Sequence, residues 1–355
     1  MDARTLLEGP RGRRLLFAVA HRLDEQIWTR GLAAAWAPDD LSARAAFCKA
    51  IAAVVPTSSP PLSVALERHG LAALNESVDR AMYWQPPDDE DRLLARSECI
   101  QALRPLATVV AAAPEVRWWE TPCEASSQRL VAFDNSGREK PTVHSDYPER
   151  LTHWRGQTLG GEASAPDLGV PVTAHISGPW WSIPVFTGLP VTTRELCAGV
   201  AVGLTLVEDG FGWTDAEVTP IAVSSRAAVL EIEGPEDWVR LVERFPLEVT
   251  RSRRHDWWRA TGVDSRWFIP DWLAASAVVD GVHLTVAGYL ATAGRALPVD
   301  GGHSVLANFN PDETYWLADV VRPSGSAQCR HRDREEDPWQ PTSHVPQLPP
   351  TEVPE

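Results

Sequence analysis

The sequence predicts an α+β protein, with an N-terminal helical domain followed by a strand-rich α+β domain and a disordered C-terminal tail. Three observations predict it. Residues 1–113 carry apolar side chains at helical spacing, broken by short Pro-bearing connections. Residues 170–321 carry many short strand-like runs and only two helical stretches. From Arg322 onward the chain is rich in proline and charge and poor in apolar residues, too poor to offset its ordering entropy. A length of 355 residues suits about two domains, and 44% hydrophobic content supplies their cores. The expected division is 1–113 helical, 114–169 a connecting region with two short strands and a linker, 170–321 the α+β ligand-binding domain, and 322–355 the tail.

Each element has its own justification. Leu15, Leu16, Val19, Ala20 and Leu23 form the core stripe of a helix over 13–23. Asp40 opens a helix that runs through Val54 and stops at Pro56, and Ser63 opens a long one that closes at Pro86-Pro87. Ser97 begins another through Val110, which contains Pro105. Strands are expected over 116–120 and 129–133, an exposed turn-rich loop over 134–146, and a helix over 148–160 ahead of a Gly-rich linker. Beyond it the expected strands are 170–176, 181–186, 191–196, 202–208, 227–233, 282–286, 304–308 and 314–321, with helices over 235–245 and 270–279.

Composition narrows the function classes. A net charge of −15 repels a phosphate backbone at long range and argues against nucleic acid as a partner. Only Lys49 and Lys140 among the basic residues are lysine, a composition typical of a GC-rich genome. Cys48, Cys99, Cys123, Cys197 and Cys329 are odd in number and contain no Cys-x-x-Cys pair, so reduced thiols and no thiolate metal site are expected. The apolar run Leu15–Ala20 is far shorter than the ~20 residues a membrane span needs, which points to a cytoplasmic protein with no membrane partner. No Gly-x-Gly-x-x-Gly, Walker loop or zinc-helix motif occurs.

Two short polar pairs carry the candidate chemistry. His175-Ile-Ser177 and His283-Leu-Thr285 each place an imidazole and a hydroxyl two residues apart, on one face of a strand-like run. Trp180, Trp181 and Ser182 follow the first pair, adding flat apolar surface and another hydroxyl. Tyr289 follows the second. The cluster Arg251-Ser-Arg-Arg254-His255-Asp-Trp-Trp-Arg259 reads as a phosphate-facing loop, with Arg254 or Arg194 available to an anion. Glu208-Asp209-Gly210 and Pro311-Asp312-Glu313 read as turn chemistry. Against these stands a bland alternative in which both histidines are core residues bonded to backbone and the tryptophans pack or bind a partner protein.

His175-Ile-Ser177 at the opening of the strand-rich domain resembles the NAD-gripping motif of His-Tyr-Glu type ADP-ribosyltransferases. That resemblance implies NAD as cofactor, a stacking ring at Tyr289, and a catalytic glutamate, for which Glu231-Ile-Glu233 has the Glu-x-Glu form. The pair His175/Ser177 and His283/Thr285 is also similar to the two His-x-Ser/Thr motifs of 2H phosphoesterases, which implies phosphodiester chemistry with both histidines in one cleft. The expectation is thus a protein handling a nucleotide-like small molecule. An ADP-ribosyltransferase-like activity leads, 2H-type phosphodiesterase chemistry is the alternative, and a non-enzymatic interaction protein is the rival of another class. Transferase chemistry requires a glutamate beside His175; phosphodiesterase chemistry requires His175 and His283 together.

Overall fold

The computed structural model describes residues 1–57, 62–134, 146–196, 199–335 and 337–342, and its architecture is α+β. Helices come first: α1 (Ala3–Glu8), α2 (Pro10–Leu23), α3 (Gln26–Trp36), α4 (Leu41–Thr57), α5 (Leu62–Asp79), α6 (Asp89–Leu94) and α7 (Ser97–Ala112). Local chemistry sets where they start. Asp2 and Asp88 accept the backbone N–H groups of Thr5 and Asp91, Asp40 accepts those of Ser42 and Ala43, and Pro10 fills the first turn of α2. α2 packs on α5 and buries Leu15, Leu16 and Phe17, but it buries Arg11 and Arg14 as well. Those two guanidiniums are tolerated there because Asp91 ion-pairs with both.

A 3₁₀ helix over Pro114–Glu120 replaces the strand expected over 116–120. Proline in its first turn followed by Glu115 favours a helical start. The remaining elements are β1 (Gln128–Phe133), α8 (Tyr147–Ser164), β2 (Val191–Leu196), β3 (Val200–Ala201), β4 (Asp215–Val223), β5 (Val229–Ile232), α9 (Pro235–Arg244), β6 (Pro246–Glu248), α10 (Thr250–Thr261), β7 (Phe268–Pro270) and α11 (Trp272–Ala275). They continue with β8 (Gly281–Leu284), α12 (Val286–Thr292), β9 (Leu297–Val299), β10 (Gly302–Ser304), β11 (Thr314–Trp316), β12 (Val321–Pro323), β13 (Gln328–His331) and β14 (Gln340–Thr342). Ten strands form the main sheet in the order β14-β13-β4-β1-β2-β11-β8-β5, with β12 on β4 and β3 on β2. Among the described residues, only β5 and β8 run parallel within it. β6–β7 and β9–β10 are separate hairpins.

Several expectations need correction. Residues 170–176 and 181–186 form no strand. Pro171, Pro179 and Pro184 remove ladder donors, and the carbonyls serve α10 instead: Val172 O meets His255 Nδ1 at 3.0 Å, Ile176 O accepts from Arg259 at 2.9 Å, and Trp180 O accepts from Trp257 at 2.8 Å. The basic and aromatic run 251–259 is therefore a helix with a strap across it, not a loop. The strand expected over 202–208 is a 3₁₀ turn (Val202–Leu204) and loop, and that over 304–308 gives way to loop after Ser304. The helix expected over 270–279 shortens to α11, capped by Asp271. Most of the turn-rich loop expected at 134–146 lies outside the described residues.

The tail expected from 322 begins with order instead. β13 and β14 extend the sheet from β4, held by Trp339, whose ring packs on Phe133 and whose Nε1 donates to Leu204 O. Residues 343–355 lie outside the described residues. One buried apolar cluster joins α1–α7 to the sheet and the helices that cover it. Among the described residues, no helix is long and apolar enough to cross a membrane.

Candidate functional site

The site grows from two turns that the fold brings face to face. The first follows the 3₁₀ turn and contains Glu208-Asp209; the second, Asn308 to Glu313, leads into β11. Glu208 N–H donates to Asn310 Oδ1 at 2.7 Å, and Asn308 N–H donates to Glu208 Oε2 at 2.6 Å. Asn310 then donates through its side chain and its backbone to the Glu313 carboxylate, at 2.7 and 3.1 Å. Ser182 braces the second turn from outside: its Oγ bridges the N–H and C=O of Ala307 at 3.0 and 3.1 Å.

Between these turns, the segment 184–189 and the open face of β1 and β2 lies a cleft of about 290 Å³. Phe133, Phe186, Trp213 and Tyr315 contribute its rings, and Phe133 and Trp213 are stacked at 4.5 Å. Glu208, Asp209, Asn308, Asn310 and Glu313 contribute its polar edge. Arg129 is the cation of the lining, and it is ion-paired with Glu195. Trp181, a sequence candidate, touches the mouth through Phe186 at 5.6 Å, while Trp180 leans on Trp181 at 6.1 Å.

Glu208 is 3% exposed, and burial pushes its pKa up to about 8, so its carboxyl holds a proton near neutrality. Its Oε1 is buried without a hydrogen-bond partner. Tyr289, expected as a stacking ring, is instead sealed behind this carboxyl; burial and then the charge of Glu208 raise its phenol well above the ordinary value. Tyr83 shows the same shift for the same two reasons.

A second polar cluster occupies the opposite face of the sheet. Register aligns Thr192, Thr314, His283 and Glu231 across β2, β11, β8 and β5, whereas Val191, Thr193 and Tyr315 alternate to the cleft side. His283 Nδ1 meets Glu231 Oε2 at 2.5 Å, and Asp312 Oδ1 lies 3.5 Å from Nε2. Asp312 also accepts Arg194 Nε at 2.5 Å and Arg194 N–H at 2.8 Å. Arg194 donates onward to Thr121 and Pro122 carbonyls and rests over the Trp118 ring at 5.7 Å. Burial works against the imidazolium, yet Asp312 and Glu231 outweigh it and the His283 pKa is raised. His283 and Arg194 thus face the Asp312 and Glu231 side chains in a layer where only Glu231 of the four is part-exposed. Cys123 borders it, hydrogen-bonded to Glu231 through its amide, with its thiol pushed up to about 11 by burial.

The structure joins His283 and Arg194 through Asp312 and separates the other sequence candidates. His175 is exposed on the strap, and among the described residues no hydrogen bond or ion pair joins it to His283 or to a glutamate. Ser177 Oγ donates to Asp256 at 2.9 Å. Thr285 caps α12 by accepting Gly288 N–H at 2.9 Å. Glu233 is exposed beside the start of α9, and Arg254 sits 3.6 Å from Asp264 and donates to Leu168 O. Among the described residues, no group of three or more His, Cys, Asp or Glu side chains could hold a metal ion.

Sequence reasoning placed Glu208 and Asp312 in turns but gave them no part in a site, and it missed Asn308, Asn310 and the ring of Trp213. A signal existed in the two Asx-bearing turns, since Asp and Asn tolerate positive φ, but nothing local says that the turns meet. No protein family, curated protein or solved structure matches the chain.

Proposed function

We propose that the cleft binds a nucleoside-like small molecule, with a flat ring system and hydrogen-bonding hydroxyl or amino groups but few phosphates. One observation carries this reading. Among the described residues, four that are not glycine hold positive φ, and three of them (Phe186, Asp209 and Asn308) line this one cleft. Such conformations cost of order 1–3 kcal/mol each and collect at ligand clamps. The four rings offer stacking surface, and Asn310, Asp209 and Glu313 edge the cleft with acceptors. Phosphate would meet like charge at Asp209 and Glu313, in a chain of net charge −15. This keeps the nucleotide-like shape expected from the sequence and turns away from NAD as preferred occupant. ADP-ribosyl transfer and paired-histidine chemistry both ask for His175 at the reacting centre; His175 is not among the cleft's lining residues, and His283 is fully buried. Phe186 and Phe211, 70% and 69% exposed beside the cleft, favour a second reading in which a protein partner covers its mouth.

Isothermal titration with adenosine and with NAD tests the proposal. Adenosine is expected to bind more tightly than NAD, and Trp213→Ala to weaken it about tenfold. Adenosine binding that ignores Trp213→Ala, or NAD binding with no response to adenosine, overturns it.

A further inference from the structure

The helical layer holds a pair of thiols that the cleft does not use. Cys48 on α4 and Cys99 on α7 stand with their Sγ atoms 3.4 Å apart, although 51 positions separate them in sequence. The two helices are packed along their lengths, so this approach is fixed by the fold. A disulfide bond of about 2.04 Å would need each sulfur to move by only ~0.7 Å. Cys99 is fully buried, whereas Cys48 is half-buried and reachable from solvent. Burial raises both thiols, which keeps the touching pair neutral and reduced until a reagent arrives. Arg44 and Glu98, 3.4 Å apart, flank the pair from the same two helices.

We propose that Cys48 and Cys99 are a dithiol modification site, which a small-molecule disulfide of the glutathione class converts to an intramolecular bond stapling α4 to α7. Cys48, as thiolate, attacks one reagent sulfur; the reagent S–S bond breaks and one reagent thiolate leaves. Cys99 loses its proton to solvent and attacks the Cys48 sulfur, releasing the second reagent thiolate. Two protein thiols are oxidised and one reagent disulfide is reduced to two thiols. The closed loop contains all of α5, so the bond removes many conformations from the unfolded chain.

The full-length protein is equilibrated with glutathione disulfide, alkylated, and mapped by non-reducing peptide mass spectrometry, alongside Cys48→Ser and Cys99→Ser. The expected product is a peptide linked between Cys48 and Cys99, with Tm raised by about 5 °C or more. Cys99→Ser is expected to stop at a glutathione adduct on Cys48, and Cys48→Ser to form no linked peptide. Folded wild-type protein whose Cys48 and Cys99 are both alkylated after equilibration, or in which Cys48 pairs with another cysteine, overturns the proposal.

Discussion

Glu208 and Asn308 are a hundred residues apart in sequence, yet the Glu208 carboxyl oxygen accepts the Asn308 backbone N–H at 2.6 Å. That bond supports Asn308 at φ 61°, and the return bond from Glu208 N–H to Asn310 closes the pair of turns into one frame. Glu208→Ala removes the acceptor of a part-buried donor, a loss of about 1 kcal/mol or more. Glu208→Gln keeps an oxygen there, and the expected loss is smaller than for Ala. Urea melts of the two variants check this order; equal losses would remove the carboxylate from the account.

Two buried groups with raised pKa values, Glu208 and His283, make stability fall as pH rises. Glu208 has a folded pKa of about 8 against an ordinary 4.5, so its contribution is full below about pH 4.5 and is lost on the way to about pH 8. His283 is also raised in the folded state, so its contribution is full below 6.5 and is lost as pH climbs through the folded value. Urea stability measured from about pH 5 to about pH 9 is therefore expected to decline in the wild-type protein. Glu208→Gln should remove the decline that ends at about pH 8, and His283→Gln should lessen only the part above 6.5. A wild-type profile that is flat or rising would contradict both assignments.

Backbone strain at the cleft can be tested at Asn308. Glycine adopts its positive φ without penalty, whereas a β-branched residue meets the full clash. Asn308→Val is expected to cost about 1–2 kcal/mol more than Asn308→Gly. Thermal melts of the two variants decide it, and equal stabilities would mean that the turn relaxes away from this conformation.

The sequence made part of this legible. β2 fell on its expected boundaries, just after Pro190, and α2, α7 and α9 fell close to theirs, because the helices carry apolar stripes and prolines mark the first turns of α2 and α9 and the end of α7. His283 stood out as an imidazole between apolar flanks and Arg194 as a cation offered to an anion; the structure pairs both with Asp312 instead. The strap over α10 and the cleft segment after it look strand-like through their Val and Ile runs, but Pro171, Pro179 and Pro184 disqualify both as strands. The cleft was not legible, because it depends on a contact between residues 208 and 308 that no local pattern encodes.

Arg194 and Asp312 tie this largely buried layer to the second turn, and removing the guanidinium from a buried pair of this kind leaves Asp312 under-compensated. Arg194→Ala is expected to destabilise the fold by about 3–5 kcal/mol. Arg194→Met, which keeps apolar volume beside Trp118, should cost somewhat less than Ala but still destabilise, because Asp312 loses the guanidinium and keeps only the residue-194 backbone N–H and His283. Guanidinium chloride melts check both. A loss well under 1 kcal/mol would show the pair to be hydrated.

Hydrogen–deuterium exchange with and without adenosine tests the central claim most directly. Ligand in the cleft is expected to slow exchange in 184–189, 207–213 and 308–313 together, because one occupant spans all three segments. Slowed exchange confined to the strap at 170–180, or none anywhere at saturating adenosine, would contradict it.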